Sequence, residues 1–490
     1  MNGRRRVVIV GGGISGLASA FYLKQASQAG SAPEVECVLV ESDSRLGGKL
    51  LTYREDGFVL EGGPDSMLAR KPAGMALVRA LGIESELVPS GSSVQRTYVV
   101  SHGRLALLPA GTYMGIPHRW EALWGNDVIS ARGKWRALRD LTLPPLAEHG
   151  DVSVGAFLRR RLGDEWVDRL CEPLLAGIYA GQADALSLDA TFPHFRCMEQ
   201  QHGSLILAAA ALRRQQAESA ATQNSRSVFV ALRGGFATLV ERLYDELHTW
   251  AQLLTQAQAV DLTRTEAGYR IRVRLPNGER VLEADAVILT TPAFVTAQLL
   301  KPWLRTADHL LSIPYASTAT VGLAYRGEDI PQLDASGFLA PRVEHRFITA
   351  STWISSKWPH TTPQGYSLIR GYVGRAGDEQ GLTLDDSEII RRVRQELADL
   401  TGITAKPLFA RVTRWDKSMP QYTVGHLERL AEVEKELEQQ LPGVFLTGAG
   451  YRGVGIPDCV AQAQTVVEAA ATYLKQPTPV STHSRRATSS

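Results

Sequence analysis

A glycine-rich turn near the N-terminus constrains the fold of this chain more than any other feature. Residues 7–10 read Val-Val-Ile-Val, a short apolar run that is typical of a buried strand. Residues 11–16 read Gly-Gly-Gly-Ile-Ser-Gly and fit the pattern G-x-G-x-x-G, and residues 14–26 then carry apolar side chains at helical spacing. A strand, a tight turn and a helix in this order predict the start of a βαβ unit.

A second predicted strand, residues 37–40, ends directly before Glu41. In this pattern Gly11 permits the tight turn, Gly13 lets the backbone approach a pyrophosphate, and Gly16 permits close packing of helix against strand. The amides at the helix N-terminus attract phosphate, and an acid at the end of the second strand binds ribose hydroxyls. The spacing therefore predicts a dinucleotide site.

Two further glycine pairs follow the predicted βαβ unit. Residues 45–49 read Arg-Leu-Gly-Gly-Lys, and residues 61–66 read Glu-Gly-Gly-Pro-Asp-Ser. Paired glycines let the backbone run along a second stretch of a long cofactor, and Arg45 can meet a phosphate. A nicotinamide enzyme has no need of such a stretch. The alternative interpretation is two unrelated turns.

Composition excludes several classes of protein. The 490 residues hold 53 Lys and Arg against 51 Asp and Glu, a net charge of +2 that argues against a nucleic-acid partner. The cysteines show no CxxC spacing, so we expect reduced thiols and no metal site. No apolar run approaches the ~18 residues that span a bilayer, and no export signal is evident. We expect a cytoplasmic enzyme-sized protein.

Periodicity predicts further elements along the chain. Residues 153–170 form an amphipathic pattern that predicts one helix with three arginines beside its apolar stripe, and residues 215–227 are polar and predict a surface connection. The other predictions are a helix at 236–247, a hairpin turning at Asn277-Gly278, strands at 286–290 and 444–447, a helix at 461–474, and a disordered, dispensable tail at 476–490.

Residues 45–49, placed after a glycine-rich βαβ unit, resemble the double-glycine motif of the flavoprotein superfamily that contains amine oxidases, phytoene desaturases and porphyrinogen oxidases. Five further motifs narrow the match, at residues 62–66, 172–181, 357–360, 414–422 and 453–459. They resemble the bacterial porphyrinogen oxidase family, in particular the branch that oxidises coproporphyrinogen III in haem biosynthesis. The resemblance covers residues 5–475.

The resemblance implies an α/β fold of three parts. These are a Rossmann-like FAD-binding domain of the double-glycine type, a mixed-sheet substrate domain and a helical domain. The predicted boundaries are 1–50, 226–294 and 405–475 for the FAD-binding domain, 51–85, 183–225 and 295–404 for the substrate domain, and 86–182 for the helical domain.

The resemblance also implies a noncovalent FAD and the residues that hold it. Those toward the pyrophosphate are Gly11, Gly12, Gly13, Ile14, Ser15, Gly16 and Leu17. Toward the adenosine ribose and the adenine they are Glu41, Ser42 and Val260, and along the phosphates and ribityl chain they are Arg45, Gly48 and Lys49. Around the flavin ring they are Gly63, Pro64, Asp65, Ser66, Trp415, Gly448, Val454, Gly455, Ile456 and Pro457.

The activity implied by the resemblance is the six-electron oxidation of coproporphyrinogen III to coproporphyrin III, with O2 as acceptor and H2O2 as product. Lys71 and Arg96 are the candidate cations for the substrate's propionates, and solvated surface charge is the alternative for each. No catalytic side chain and no metal is expected, because the flavin supplies the chemistry.

Alternative activities are protoporphyrinogen IX oxidation, a flavin amine oxidase, and a non-catalytic carrier of the same fold. The arginines beside the stripe of 153–170 could contact the inner face of a membrane, although a solvated face is the preferred interpretation. The sequence leaves the oligomeric state open.

Overall fold

The computed structural model describes residues 4–91, 96–146, 150–222 and 228–476. A five-stranded parallel sheet contains the strand that precedes the glycine turn. Val8 lies opposite Val38 on one side and opposite Val287 on the other, so the N-terminal strand is central. The predicted βαβ unit is confirmed. In spatial order the strands are Ala251–Leu254, Val35–Val40, Arg5–Val10, Ala286–Leu289 and Val444–Leu446.

Both faces of this sheet are covered, which explains the unbroken apolar runs of its strands. Val7 and Ile9 point to one face and Val8 and Val10 to the other, and none is more than 3% exposed. One face packs against helices Ile14–Gln28, Ala237–Leu247 and Ile456–Leu474. The other packs against antiparallel strands Gln258–Thr265, Gly268–Leu275 and Gly278–Ala284 and helices Ala293–Leu300, Ala307–Leu311 and His426–Gln440.

A seven-stranded mixed sheet forms the second large layer. Its strands in spatial order are Phe409–Pro420, Tyr315–Arg326, Tyr366–Val373, Ile348–Trp353, Gly337–Leu339, Tyr98–Ser101 and Arg104–Leu107. Helix Asp386–Thr401 packs on it through Ile389, Val393 and Leu397. The first and the last two of these strands come from segments that the predicted division gives to the FAD-binding and helical domains. That division stays a prediction.

Smaller elements join these layers. Three short strands, Met67–Leu68, Phe229–Leu232 and Leu87–Pro89, form one sheet, and the pairs Thr52–Glu55 with Phe58–Glu61 and Thr112–Tyr113 with Ile116–Pro117 form two hairpins. Helix Pro72–Ala80 follows the first of these strands. The remaining short helical turns are Glu84–Glu86, Gly327–Asp329, Arg342–Glu344, Ile354–Lys357, Pro359–Thr361 and Gln380–Thr383.

A helical region has its own core around the fully buried Trp166, Phe157 and Phe195. Its α-helices are Trp120–Trp124, Ala131–Ala137, Val154–Leu162, Asp164–Trp166, Glu172–Tyr179, Leu188–Thr191, Pro193–His202 and Leu205–Thr222, with a 3-10 turn at Leu138–Leu141 and a π-helical turn at Val167–Cys171. None of the helices in the described ranges is both long enough and apolar enough to cross a bilayer.

Three element predictions are corrected by the structure. The single helix at 153–170 is wrong, because Gly163 adopts φ +90° after Leu162 and a Cβ there would lie 2.5 Å from Arg136 Cγ. The predicted connection at 215–227 is helical as far as Thr222, and 223–227 lie outside the described residues. The last helix starts at Ile456, not at 461. Of the predicted tail, residues 477–490 also lie outside the described residues.

Candidate active site

The three glycines of the first turn have distinct steric surroundings. Gly11 adopts φ +111°, and a Cβ added there would lie 2.4 Å from Thr290 Oγ1. A Cβ on Gly16 would lie 1.9 Å from the carbonyl oxygen of Gly11. A Cβ on Gly13 would meet no protein atom within 4 Å. The turn therefore excludes side chains on its protein side and leaves open space in front of Gly13.

The helix that follows this turn presents unused amides. Its N-cap residue is Gly13, no side chain accepts a hydrogen bond there, and its first turn holds no acidic residue. Ser15 and Leu17 are buried on the side facing the sheet. The first-turn amides of Ile14–Gln28 thus point into the open space, as a helix N-terminus that receives a phosphate does.

Glu41 connects the second strand to the glycine turn. Its Oε2 accepts a hydrogen bond of 2.6 Å from Gly12 N–H, and its Oε1 accepts one of 2.7 Å from Asp43 N–H. Ser42 is exposed beside it and donates to the same carboxylate. The carbonyl of Glu41 accepts from Ala257 N–H at 2.8 Å, which places the strand of Val260, a residue at a register shift, next to this corner.

The second glycine pair lies against the first turn. Gly47 N–H donates to the carbonyl of Gly12 at 2.8 Å, and a Cβ on Gly48 would lie 3.1 Å from the Cα of Gly13. Arg45 donates to carbonyls of its own loop, those of Leu46, Gly48 and Leu50. Its guanidinium therefore shapes this loop, and contact with a phosphate stays a prediction.

Lys49 and Gly63 pack backbone against backbone. A Cβ on Gly63 would lie 1.9 Å from the carbonyl oxygen of Lys49. The ammonium of Lys49 donates to the carbonyl of Ser418, and burial lowers the pKa of Lys49. Segments 45–49 and 62–66 thus form one continuous surface with the glycine turn.

Segment 62–66 is held by side chains from the seven-stranded sheet. Trp415 Nε1 donates to the carbonyl of Gly62 at 2.7 Å. Arg370, which is 2% exposed, donates to the carbonyls of Glu61 and Gly63 at 2.8 and 2.9 Å. The predicted flavin-side residues Gly63, Pro64, Asp65, Ser66 and Trp415 therefore share one surface.

Asp65 forms ion pairs that fix this segment. Arg370 lies 3.0 Å and Lys357 3.4 Å from its carboxylate, and Ser66 Oγ donates to it at 2.8 Å. Burial by itself would raise the pKa of Asp65, but the charges of Lys357 and Arg370 outweigh it and lower the pKa to about 2. Asp65 is therefore a permanent anion and holds the segment in place.

Glu61 precedes the same segment and is a different kind of carboxyl group. Its two oxygens accept from Phe236 N–H at 2.6 Å and from Thr52 Oγ1 at 2.8 Å. Burial raises the pKa of Glu61 to about 7, although both hydrogen bonds and the charge of Arg370 act in the opposite direction. This group titrates near neutrality.

The C-terminal turn, residues 448–457, completes the site. Gly448 adopts φ +128°, and a Cβ there would lie 3.6 Å from Ser15 Oγ on the first helix. Gly455 caps helix Ile456–Leu474 without a side-chain hydrogen bond, and Pro457 occupies the first turn. Val454 packs against the core of the helical region. The C-terminal turn thus begins beside the first helix and leads into a second helix N-terminus.

The two candidate substrate cations are both paired in the structure. Lys71 Nζ lies 2.6 Å from each carboxylate oxygen of Asp458, in the first turn of the last helix. Arg96 is exposed and lies 3.3 Å from Asp334. Lys71 therefore adjoins the C-terminal turn, whereas the contacts of Arg96 are with the seven-stranded sheet. Their role toward a substrate stays a prediction.

Sequence reasoning missed Arg370 and Lys357 as residues of the site. An arginine within the apolar strand Tyr366–Val373 was the available signal, because a buried arginine needs a partner. Lys357 belongs to the motif at residues 357–360, but its partner Asp65 is far away in sequence.

A surface cavity of about 540 Å³ lies away from this site. Arg6 and Glu36 line it near the beginnings of their strands, with Arg280 and Glu283 from the antiparallel sheet. Ligands of open parallel sheets bind at the carboxyl ends of the strands. The glycine turn and Glu41 lie at those ends, so the candidate site is there.

The fold and this site define a dinucleotide-binding oxidoreductase of the flavoprotein class. The chain belongs to the family of flavin-containing amine oxidoreductases, whose model matches residues 14–471. The predicted fold class and the resemblance to flavoprotein oxidases are confirmed. The open space at Gly13 and the two uncapped helix N-termini fit the flavin cofactor that this family uses.

Curated relatives and a solved structure match nearly the whole chain. Coproporphyrinogen III oxidase of Bacillus subtilis (strain 168) is 41% identical, over 96% of this chain and 99% of the relative. Protoporphyrinogen oxidase of Bos taurus is 33% identical, over 93% and 96%. A crystal structure from Exiguobacterium sp. 255-15, described as a candidate protoporphyrinogen oxidase, superposes with a TM-score of 0.85 at 34% identity, over 97% of this chain and 100% of that one.

Proposed function

We propose that this protein oxidises coproporphyrinogen III to coproporphyrin III in haem biosynthesis, with O2 as the terminal acceptor. One observation carries the proposal. A coproporphyrinogen III oxidase aligns over 99% of its own length at 41% identity. The second candidate, oxidation of protoporphyrinogen IX, is favoured by the bovine relative and by the solved structure from Exiguobacterium, at 33% and 34% identity.

The proposed cofactor is FAD, bound without a covalent bond. The glycine turn would hold the pyrophosphate, Glu41 and Ser42 the ribose, and segment 62–66 the flavin ring. Cys459, the cysteine nearest the C-terminal turn, is 3% exposed, and burial raises its thiol pKa to about 11. A protonated, buried thiol is a poor nucleophile, which supports noncovalent binding. Acid precipitation tests this, because a covalent flavin would stay in the pellet.

When bound, the flavin would accept a hydride from a meso carbon in each of three turnovers and pass the electrons to O2, giving H2O2. The chain's own residues would orient the flavin and the substrate and shield them from water. Arg370 and Trp415 hold the carbonyls of segment 62–66 in place. The amides that begin helix Ile456–Leu474 would stabilise negative charge near the ring.

Parallel assays on coproporphyrinogen III and protoporphyrinogen IX, read by porphyrin fluorescence, test the proposal. We expect faster turnover of coproporphyrinogen III. Faster turnover of protoporphyrinogen IX would change the substrate assigned to the protein, but the assignment as a flavin oxidase would stand. No turnover of either, with oxidation of a primary amine, would indicate an amine oxidase instead.

A cytoplasmic location is part of the proposal and rests on the four free thiols, three of them buried. The arginines of helix Val154–Leu162, for which a solvated face was preferred to a membrane contact, form ion pairs within the helical region. Arg159 pairs with Asp168 and Asp184, and Arg160 and Arg161 pair with Glu199. A peripheral membrane contact therefore gains no support from this helix.

A further inference from the structure

Two arginines near the site carry charges that no carboxylate in the described part of the chain neutralises. Lys71 and Arg96 are paired with aspartates, as described above. Arg70 and Arg119 are exposed, and neither forms an ion pair or a side-chain hydrogen bond within the described ranges. Arg70 immediately precedes Lys71, and Arg119 follows the hairpin strand Ile116–Pro117.

A row of aromatic rings begins at the C-terminal turn. The hydroxyl of Tyr422 accepts from Gly453 N–H at 2.8 Å and donates to the carbonyl of Ala449 at 2.6 Å, which fixes its ring beside this turn. Tyr179 lies next to it, with the ring centroids 5.6 Å apart. Ile178, adjacent to Tyr179, is 46% exposed. The row therefore starts at the C-terminal turn with two buried rings, Tyr422 and Tyr179.

The row continues outward through the helical region. Phe192 lies 6.0 Å from Tyr179, His194 lies 6.2 Å from Phe192, and Tyr113 lies 6.2 Å from His194, each measured between ring centroids. Tyr113 belongs to the hairpin that Arg119 follows. The ring Nε2 of His194 is buried and has no hydrogen-bond partner within the described residues.

Both arginines lie near the outer end of this row. Burial and, to a smaller extent, the charge of Arg70 together lower the pKa of His194 to about 4. Burial also lowers the pKa of His118, and Arg213 and Arg119 add to the effect. No carboxylate opposes either shift. The Arg119 side chain also lies against Gly111, where an added Cβ would be 3.1 Å away.

We propose that Arg70 and Arg119 form a carboxylate-binding rim that holds propionate groups of the porphyrin substrate at the outer end of this row, where Tyr113 and His194 are half-buried. The inference rests on the proposed function, because it names a subsite for the same substrate. Guanidinium groups bind carboxylates through two parallel hydrogen bonds, and here no internal carboxylate competes. Aromatic faces and edges supply the apolar contact that a large ring system needs.

The test measures binding to the FAD-loaded protein by quenching of tryptophan fluorescence. The probes are coproporphyrin III, which has four carboxylates, and its tetramethyl ester, which has none. Arg70→Gln and Arg119→Gln should each raise the Kd for the acid about tenfold and leave the Kd for the ester unchanged. Arg→Lys at either position should recover part of the loss. Arg280→Gln, an exposed arginine on strand Gly278–Ala284, is the matched control and should change neither Kd.

An unchanged Kd for the acid in both glutamine variants would contradict the proposed rim. An equal rise in Kd for the acid and the ester would contradict it as well. A failure of the proposed function is recognised separately. In that case the unmodified protein would neither oxidise coproporphyrinogen III nor bind coproporphyrin III, whatever the variants do.

Discussion

At the scale of single residues, Gly13 differs from the other glycines of its turn, because the proposed cofactor and not the packing of the protein requires a glycine there. Neighbouring Gly11 and Gly16 have no room for a Cβ, because protein atoms lie 2.4 and 1.9 Å from its position. Gly13 faces open space instead. A side chain at Gly13 would therefore disturb a bound ligand and not the protein.

We predict that Gly13→Val yields a colourless protein whose apo form melts at the unmodified temperature. The valine would occupy the space proposed for the pyrophosphate, and no protein atom lies within 4 Å of its Cβ position. Absorbance near 450 nm and thermal unfolding of the FAD-free proteins measure the two parts. A yellow, fully active variant would show that the cofactor lies elsewhere.

Glu61 is the residue through which pH should act on stability. Its native pKa of about 7 lies above the ordinary value of 4.5. Between these values the unfolded chain releases a proton that the native protein keeps, so the native state loses stability as pH rises across this window. The size of the contribution is about 3 kcal/mol for a shift of this size.

We expect Glu61→Gln to remove this contribution, because the amide does not titrate. Urea unfolding of the apo-proteins at pH 4.5, 6 and 7.5 gives the comparison. Relative to the variant, the unmodified protein should lose up to about 3 kcal/mol of unfolding free energy across the series. All other titrating groups are common to both proteins, so parallel pH profiles would contradict the expectation.

At the scale of elements, local patterns predicted the structure wherever one residue type decides it. The apolar run before Gly11, the Asn277-Gly278 turn and the alternation around it each specify their element without distant partners. The break at Gly163 was missed, because the apolar period continues across it and shows neither the φ of +90° nor the nearby Arg136 side chain that disfavour a side chain there. Periodicity reports burial and not backbone conformation.

Helix Val154–Leu162 is anchored by a buried charged cluster. Arg161, Asp140 and Glu199 are all fully buried, and the guanidinium lies 2.5 Å from Glu199 and 3.2 Å from Asp140. Ser204 and the backbone amide of Ile206 donate to the second oxygen of Asp140. Every charge in the cluster has a partner of opposite charge. Removing one charge would therefore leave its buried partners less well compensated.

We predict that Arg161→Ala lowers the unfolding free energy by about 3 to 5 kcal/mol, because the buried Asp140 would lose its counter-charge and the buried Glu199 would keep only that of Arg160. Arg242→Ala, which breaks the exposed pair with Asp245, should cost less than about 1 kcal/mol. Denaturant unfolding of both variants measures the difference. Similar losses for the two would mean that Arg161 is not essential to the core.

At the scale of the whole molecule, the site depends on contacts between residues that are far apart in sequence. Lys71 and Asp458 are 387 positions apart, and Trp415 and Gly62 are 353 apart. Glycine motifs and a family resemblance predicted residues that would face the cofactor. They could not name Arg370, because its role arises only when the seven-stranded sheet packs against segment 62–66.

On the proposed function, this arrangement makes cofactor binding a property of both sheets. FAD that binds only the native state raises its stability by RT ln(1 + [L]/Kd), about 2.7 kcal/mol at one hundred times Kd. Arg370 orders segment 62–66 before FAD arrives, through the carbonyls of Glu61 and Gly63 and the carboxylate of Asp65. Without it, FAD would have to order that segment on binding.

We therefore predict that Arg370→Gln reduces the rise in melting temperature that FAD produces, in addition to lowering the melting temperature of the apo-protein. Arg411→Gln is the matched control, since this arginine lies in the same sheet but pairs with Glu55 at the surface, and its FAD-induced rise should equal that of the unmodified protein. Thermal unfolding across a titration of FAD measures both. If Arg370→Gln keeps the full rise, the order of segment 62–66 does not depend on the seven-stranded sheet, and the two sheets contribute to the site independently.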